Sequence, residues 1–382
     1  MHHELPSIPS RCPRRRLSAA TIALCFAGFV PAPSLAQDAA DQSRAGIDGP
    51  YVRRTTEGKL ESTRLVADQR SGVRIEKSVL PSEAPGFELE LLPKEPPLRV
   101  SIRAAAEPPP CRRPRPDRLF VVSDIEGNLP ALLGLLRAGG VVDERCNWTF
   151  GDGHVVFLGD LFDRGLQVTE CLWLLYELEA RARTGGGELH FVLGNHEVMN
   201  FTGDVRYVRR KYHENAARLG TTPDQLHATD TVLGQWLRTR NVALQLGDEL
   251  FVHGGVSPAV VAAGLRLERL NEALRAALAG DRAAPPKDRA LELVAGSADG
   301  LIWYRGYLQE PRIGDAELDA VLKHFAVARV VVGHTLVENI GFVFGRRVLA
   351  VDVHHASGHS QAALRVKDDW HRLDLAGVRT RL

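Results

Sequence analysis

The chain of 382 residues carries 48 Lys and Arg against 47 Asp and Glu, a formal net charge of +1. This balance excludes the strong positive field that a nucleic-acid or anionic-membrane binder would need. With 44% hydrophobic and 25% charged residues, the composition is typical of a soluble globular protein. The length allows two compact units or one large domain with an appendage.

Residues 1–36 have the pattern of a secretory signal peptide. Four arginines precede an apolar run at residues 17–30, which is too short to span a bilayer comfortably. Two prolines follow, and the small side chains of Ser34 and Ala36 suit cleavage before Gln37. We therefore expect export to the periplasm or beyond, with a mature net charge of about −2 and no stable membrane insertion. A retained anchor is the alternative, and the arginine run loosely resembles a twin-arginine signal.

Residues 37–116 form a region rich in proline and charge. Alternating apolar and polar residues at 72–76 and 87–91 predict short, half-exposed strands. The proline-rich stretch 107–116 is typical of an extended linker. We therefore predict a small N-terminal β-rich appendage at 37–116 and a catalytic domain at 117–382.

From residue 118 onward, short apolar runs alternate with helical patterns. Continuous apolar runs bounded by glycine are typical of strands buried on both faces. Helices at 129–137 and 168–182 would cover them, so the pattern predicts a layered α/β fold. The predicted strands are 119–123, 154–158, 189–193, 250–252, 329–332 and 348–353.

Three cysteines remain after signal removal, namely Cys111, Cys146 and Cys171. An exported protein can oxidise two of them. Cys111 and Cys146 flank the first strand and helix of the core, so they are the preferred disulfide pair. Small buried thiols are the equal alternative.

Polar side chains follow the ends of five predicted strands, each beside a glycine. The carboxyl edge is where open α/β sheets place their ligands. A single Asp or His there is often a helix cap or a core residue, but five such ends together predict a functional site. The side chains are Asp124 and Glu126, then Asp160, Asp163 and Arg164, then Asn195 and His196, then His253, then His334.

These donors favour a pair of divalent metal ions. Carboxylate, amide and imidazole ligands suit Mn, Fe, Zn or Mg, and argue against a thiolate site. Two ions that share Asp160, about 3.5 to 4 Å apart, would supply a hydroxide near neutral pH and clamp an in-line displacement at phosphorus. His196 would protonate the leaving group, Asp163 would orient it and Arg164 would hold the phosphate. The expected metal ligands are Asp124, Glu126, Asp160, Asn195, His253 and His334.

The order Asp-x-Glu-Gly-Asn, Gly-Asp-x-x-Asp-Arg-Gly, Gly-Asn-His-Glu, His-Gly-Gly and Gly-His-Thr resembles the calcineurin-like metallophosphoesterase superfamily over residues 118–355. Residues 199–207, 233–238 and 303–306 further resemble the Shewanella-like protein phosphatases, which act on phosphoserine, phosphothreonine or phosphotyrosine. The resemblance implies two mixed β-sheets packed between helices.

The resemblance also divides the metal ligands. It implies that Asp124, position 126 and Asp160 hold the first ion, and that Arg305 joins Arg164 in gripping phosphate. Arg305 could instead make a surface ion pair, and we expect His354 and His355 to be ordinary loop residues. The second ion would take Asp160, Asn195, His253 and His334.

Glu126 departs from the family pattern, which usually has His at this position. A glutamate is a harder and more negative donor, so it should weaken Zn relative to Mn, Mg or Fe(II), and we favour Mn. The alternative is that Glu126 does not bind metal.

The sequence thus predicts a phosphomonoesterase, with phosphoproteins ahead of small phosphoesters because of the resemblance alone. A phosphodiesterase or nucleotide hydrolase is an alternative, because the same two-metal chemistry serves diesters. A metal-binding interaction module without catalysis is a third possibility, although binding alone would not require His196 and Asp163.

Overall fold

The computed structural model describes residues 47–70, 72–104, 106–279 and 288–382, which belong to one compact unit, Arg44–Leu382. The predicted signal peptide, and with it the alternative of a retained anchor, lies outside the described residues. Among the helices that the structure describes, none combines the length and the apolar character needed to cross a bilayer.

The N-terminal region consists of two small antiparallel sheets. The strands are β1 (Asp48–Arg54), β2 (Leu60–Asp68), β3 (Gly72–Val79), β4 (Gly86–Leu89) and β5 (Leu98–Ser101). The first three pair in the order β1-β2-β3, and β4 pairs with β5. The alternating patterns at 72–76 and 87–91 therefore predicted real strands.

Within the described residues, twelve further strands build two six-stranded mixed sheets. They are β6 (Arg112–Arg113), β7 (Arg118–Val122), β8 (His154–Leu158), β9 (Glu188–Val192), β10 (Ala243–Leu246), β11 (Glu249–Val252), β12 (Arg329–Val332), β13 (Gly341–Val343), β14 (Val348–Ala350), β15 (Gln361–Val366), β16 (Asp369–Asp374) and β17 (Arg379–Arg381). Sheet I has the order β17-β16-β15-β7-β8-β9, and sheet II has the order β13-β14-β12-β11-β10-β6. Strands β7, β8 and β9 are parallel, as are β11, β12 and β14.

Helices lie along the chain between these strands. They are α1 (Leu129–Ala138), α2 (Val168–Thr184), α3 (Asn195–Thr202), α4 (Arg210–Arg218), α5 (Val232–Arg238), α6 (Pro258–Ala262), α7 (Leu267–Leu278), α8 (Arg289–Leu291) and α9 (Asp315–Phe325). Short 3₁₀ turns occur at Pro223–Gln225 and His355–Ser357, and Glu292–Gly296 is a π-helical turn.

Alternate residues of each strand point to opposite faces of its sheet. One face of each sheet therefore packs against the other sheet, and the opposite face is available to the helices. In β7, Leu119 and Val121 share an apolar cluster with Phe251 of sheet II, whereas Phe120 belongs to the cluster that includes Trp173 of α2. This arrangement confirms the predicted α/β fold with two sheets between helices. It also brings the carboxyl ends of β7 to β9 beside those of β11 and β12.

Part of the expected linker is a strand. Arg112 and Arg113 pair in parallel with Gln245 and Leu246, so β6 forms the edge of sheet II. The domain boundary at residue 116 stays a prediction.

The expected disulfide between Cys111 and Cys146 is wrong. Cys111, Cys146 and Cys171 are all free thiols. The Cys111 carbonyl accepts a hydrogen bond from the Gln245 backbone N–H of sheet II, 2.8 Å away, while the Cys146 carbonyl accepts one from Arg181 on α2, 3.1 Å away. Cys111 is thus held at sheet II, whereas Cys146 is held at helix α2. The other expectation, small buried thiols, is confirmed for Cys146 and Cys171, whereas Cys111 is only partly buried.

Candidate active site

The six predicted metal ligands converge where the two sheets meet. Each follows the carboxyl end of a parallel strand, and all except Glu126 are buried. The residues after β7, β8, β9, β11 and β12 are, in that order, Asp124 with Glu126, Asp160, Asn195, His253 and His334.

The backbone at this site is in the left-handed region at six non-glycine residues. Such a conformation is uncommon outside glycine and costs of order 1–3 kcal/mol per residue, so it persists only where surrounding contacts impose it. The Glu126 N–H donates to the Asp160 carbonyl over 2.9 Å, which ties the two turns together. The positive φ angles, 48° to 71°, belong to Asp124, Glu126, Asp160, Asp163, Arg164 and His334.

Two glycines leave room for the carboxylates. A Cβ on Gly194 would overlap the Asp160 Oδ1 atom, and one on Gly333 would overlap Ser123 Oγ and crowd Asp124. The cradle around these oxygens therefore requires glycine at both positions.

The first donor group joins Asp160, His253 and His334, whose ligand atoms all lie within 4.8 Å of one another. His253 Nε2 is 3.1 Å from Asp160 Oδ2 and 3.0 Å from Asn195 Oδ1. Because His253 Nδ1 donates to the Leu158 carbonyl over 2.7 Å, its Nε2 atom is the one that is directed at the other donors and could bind a metal. His334 Nε2 is buried without a hydrogen-bond partner in the described part of the chain. These ring nitrogens and the carboxylate oxygens of Asp160 fit a divalent cation.

A second donor group joins Glu126, Asp160 and His196, again within 4.8 Å. Glu126 also contacts the Arg164 guanidinium. Asp124, which we expected beside Glu126, turns one carboxylate oxygen toward Ser123 Oγ and the His334 backbone N–H, the latter 3.1 Å away. Asp160 is the member shared by both groups, and its bridging role stays a prediction.

Buried carboxylates make the site attractive to positive charge. Burial lowers the pKa of His253, but Asp160 and Asp124 outweigh burial and raise it to about 10. Burial alone would raise the pKa of Asp160, yet His253 and His196 hold it well below its usual range. The negative charge of Asp160 and Asp124 that favours a proton on His253 would also attract a metal cation.

His196 and Asp163 form a hydrogen-bonded pair beside the metal-binding groups. His196 Nδ1 lies 2.6 Å from Asp163 Oδ2, and both residues are buried. His196 Nε2 lies 3.7 Å from Asp160 Oδ2, so the ring faces the donors. Burial lowers the pKa of His196, but Asp160 and Asp163 outweigh it and raise the pKa above its ordinary value. The predicted orienting contact is therefore present.

The two predicted phosphate-binding arginines lie at the edge of the site. The Arg164 side chain is 46% exposed, and its guanidinium lies 5.4 Å from the centre of the Tyr207 ring. Arg305 donates to the His334 carbonyl over 2.5 Å and to Thr335 Oγ1 over 3.4 Å. These contacts anchor Arg305 next to a metal-ligand candidate.

The two loop histidines differ from each other. His354 is exposed, as expected of a loop residue. His355 is buried, and its Nε2–H donates to the Ser123 carbonyl over 3.0 Å. The ordinary-loop expectation is therefore wrong for His355, which braces the turn after β7.

Sequence reasoning missed the part played by Glu197. Its buried carboxylate accepts backbone hydrogen bonds from Gly194, Asp160, Leu161 and Phe162 over 2.7 to 3.3 Å. One side chain thus joins the turn after β8 to the start of α3. The available clue was an acidic residue at the third position of a helix whose preceding residue is Gly194, a capping-box position.

Asp352, after β14, was also missed. It is buried, and burial, followed by the nearby charge of Asp124, raises its pKa well above the ordinary value. The clue was an Asp at the end of a strand already predicted to be buried.

Two packed mixed sheets with this donor set at their common edge define a metal-dependent phosphoesterase. The model of the calcineurin-like phosphoesterase family matches residues 118–360. The chain belongs to this family, whose members use divalent metals to hydrolyse phosphoric esters.

Several relatives are protein phosphatases by name. Shewanella-like protein phosphatase 2 from Arabidopsis thaliana is 26% identical over 293 residues, which cover 64% of this chain and 73% of the relative. Shewanella-like protein phosphatase 1 from Plasmodium berghei is 24% identical and covers 57% of this chain and 61% of the relative. The crystal structure of the cold-active protein-tyrosine phosphatase of a psychrophile Shewanella species matches with a TM-score of 0.78. It is 32% identical and covers 88% of this chain and 99% of that one.

Proposed function

We propose that this enzyme is a dinuclear metal-dependent phosphatase that hydrolyses phosphomonoesters, with phosphoproteins as its main substrates. The observation that carries the proposal is the His196–Asp163 pair, 2.6 Å apart, set beside the shared carboxylate Asp160. A site that only bound metal would have no use for an oriented, buried proton donor.

The residues that would hold the ions fall into two sets around Asp160. Asp124 and Glu126 would complete the first set, and Asn195, His253 and His334 the second. Two divalent ions, with Mn favoured, would activate a water and neutralise charge on the phosphoryl oxygens.

His196 would donate the proton that the leaving alkoxide needs. Asp163 receives the Nδ1–H, so Nε2 is the nitrogen that faces the donors and carries the transferable proton. Burial lowers the pKa of His196, but Asp160 and Asp163 outweigh burial and raise it, which favours the protonated imidazole. Asn200 donates to the other oxygen of Asp163 over 2.9 Å and holds the carboxylate in position.

Arg164 and Arg305 would grip the phosphate. A phosphate monoester carries one more negative charge than a diester, and two guanidinium groups complement that charge. We therefore propose monoesters rather than diesters as the preferred substrates. The preference for phosphoproteins draws on the relatives, which are protein phosphatases by name.

We also propose that the mature enzyme is exported. The support is the pattern of residues 1–36, and cell fractionation with N-terminal sequencing of the recovered protein would test it. An intact N-terminus in the cytoplasmic fraction would contradict export.

The function is tested by assaying purified protein with p-nitrophenyl phosphate, phosphotyrosine and phosphoserine peptides, mononucleotides and bis-p-nitrophenyl phosphate, with and without added Mn. We expect monoester hydrolysis that chelation abolishes and Mn restores. Asp160→Asn should lose most of the activity together with bound metal, whereas exposed Asp152→Asn should keep both. Activity that survives chelation would overturn the metal-dependent proposal, and faster diester hydrolysis would overturn the monoester preference.

A further inference from the structure

A small cavity lies beside Asp163, which orients His196, and Asn200, which holds Asp163. Its volume is about 20 Å³, and a cavity of about 10–15 Å³ or more has room for one water molecule. Most of the residues that line it are buried. Part of its wall is apolar, formed by Phe162, Val168, Val208 and Leu226.

Four separate segments of the chain supply the polar part of the wall. The turn after β8 contributes Asp163, α3 contributes Asn200, and α4 contributes Tyr212. His227 comes from the segment that follows the 3₁₀ turn at Pro223–Gln225. A ligand bonded to several of these groups would therefore join segments that meet only in the folded chain.

His227 brings an unpaired polar atom to this cavity. The residue is only 7% exposed, and its Nδ1 atom has no hydrogen-bond partner among the residues that the structure describes. The imidazole packs edge to face against the Phe162 ring, with the ring centres 5.2 Å apart, and its centre lies 6.0 Å from that of the Tyr51 ring. Leaving a buried nitrogen without a partner costs free energy, which a bonded water would offset.

Asp163 and Tyr212 can supply the other bonds that a buried water needs. Each carboxylate oxygen of Asp163 accepts one hydrogen bond in the arrangement described above, and such an oxygen can accept a second. Tyr212 Oη accepts the Val168 backbone N–H over 2.8 Å, so its own O–H can donate to a water. A water that accepts from Tyr212 and donates to Asp163 and His227 makes three bonds, the usual number for a buried water.

We propose that one ordered water occupies this cavity and joins His227 to Asp163, so that His227 is a positioning residue for the proton donor His196. The inference rests on the proposed phosphatase function and adds a residue to the support of its proton donor. The group bonded behind a functional histidine sets the orientation of the ring. A water that holds the Asp163 carboxylate would in this way help to keep His196 Nε2 directed at the leaving group.

The water itself is tested by high-resolution crystallography of the mature protein, with no reliance on activity. We expect one density peak at about 2.7–3.2 Å from both His227 Nδ1 and an Asp163 carboxylate oxygen. Val208→Ile adds a methylene group to the cavity wall and should displace the peak. The matched control is Val261→Ile, at a half-buried valine of α6 that does not line the cavity, which should keep the peak.

The positioning role is tested by steady-state kinetics on two esters. His227→Leu should lower kcat for phenyl phosphate about tenfold with little change in KM, which is a part of the roughly 10² to 10⁴ that proton donation contributes. The loss should be much smaller for 2,4-dinitrophenyl phosphate, whose leaving group departs unprotonated. His227→Gln, whose amide can bond the water, should recover most of the rate on phenyl phosphate.

Two further variants separate the water from the imidazole. Val208→Ile should repeat the loss on phenyl phosphate although His227 is still present. Val261→Ile and exposed His213→Leu should keep the parent rates on both esters. Circular dichroism checks that each variant is folded, and if His227→Leu is not, Val208→Ile and the crystal structure of the parent protein decide.

Two outcomes would overturn the proposal. One is a parent crystal structure with no ordered water in contact with both His227 and Asp163. The other is a folded Val208→Ile protein that has lost the water but shows no loss on phenyl phosphate, or equal losses on the two esters. Failure of the phosphatase function shows up separately, because the parent protein would then hydrolyse none of the phosphoesters while the water could still be seen.

Discussion

His196 Nδ1 lies 2.6 Å from Asp163 Oδ2, and Asn200 Nδ2 lies 2.9 Å from the other oxygen of the same carboxylate. Asn200 also donates to the His196 backbone carbonyl over 2.9 Å, so one turn of α3 closes the arrangement. The imidazole is therefore fixed in both orientation and tautomer, with Nε2 toward the metal-binding groups.

The proton-donor role predicts a dependence on the leaving group. His196→Ala should lower kcat for phenyl phosphate by about 10² to 10⁴, because a poor leaving group needs protonation. For 2,4-dinitrophenyl phosphate, whose leaving group departs unprotonated, the loss should be much smaller. Steady-state kinetics on both esters gives the comparison. Exposed His213→Ala is the control, and equal losses on the two esters would contradict the role.

The identity of residue 126 should set the metal preference. Glu126→His replaces a hard, charged oxygen donor by imidazole, so the ratio of Zn to Mn affinity should rise. Competition binding of the two metals, measured on protein stripped by chelation, provides the readout without reliance on activity. Because Glu126 also contacts Arg164, a Glu126→Gln variant serves as the comparison that removes the charge alone. An unchanged affinity ratio in Glu126→His would show that Glu126 does not bind metal.

The buried carboxylate of Glu197 should be important for stability. Its two oxygens accept four backbone N–H groups, and an amide would turn a donor toward two of them. Glu197→Gln should therefore lose about 2–4 kcal/mol of unfolding free energy. Urea unfolding at pH 8 followed by circular dichroism measures the change. Glu214→Gln, at a side chain of α4 that is 41% exposed and makes only surface ion pairs, should stay within about 0.5 kcal/mol of the parent protein. Equal stabilities would contradict the bracing role.

Acid should destabilise the protein partly through His227. Burial lowers the pKa of His227 to about 4, so the folded chain resists a proton that the unfolded chain accepts below about pH 6.5. The contribution to stability is thus present above pH 6.5 and falls as pH drops toward 4, by about 3 kcal/mol in total.

The variant His227→Gln tests this assignment. It should lose less unfolding free energy than the parent between pH 6.5 and 4, whereas exposed His213→Gln should follow the parent. Urea titrations across that pH window give the comparison. Parallel curves for His227→Gln and the parent would place the acid sensitivity elsewhere.

The sequence predicted strands where burial on both faces left continuous apolar runs. The run at 154–158 coincides with β8, and that at 329–332 with β12. The site followed from the same runs, because Asp160 and His334 are the polar residues that end such strands. Antiparallel strands such as β16 (Asp369–Asp374) were not predicted, since partly exposed residues interrupt their apolar pattern.

Other features depend on contacts between distant segments. The proline-rich sequence around Cys111 gave no sign that this segment would pair with β10. The predicted disulfide was wrong for that reason. The carboxylate of Glu197 could be placed at a helix start, but its bonds to the turn after β8 arise only from the folded arrangement. The left-handed backbone of Asp124 likewise reflects tertiary contacts rather than intrinsic preference.

The two residues of β6 have a consequence for how the molecule can be divided. Because Arg112 and Arg113 cover the outer side of β10, a fragment beginning at residue 117 would present that buried strand as a bare edge. Bare apolar edges pair with one another between molecules, so such a fragment should aggregate even with every metal-ligand candidate intact. We therefore expect the short basic stretch between the prolines to protect the edge of sheet II from pairing with another molecule.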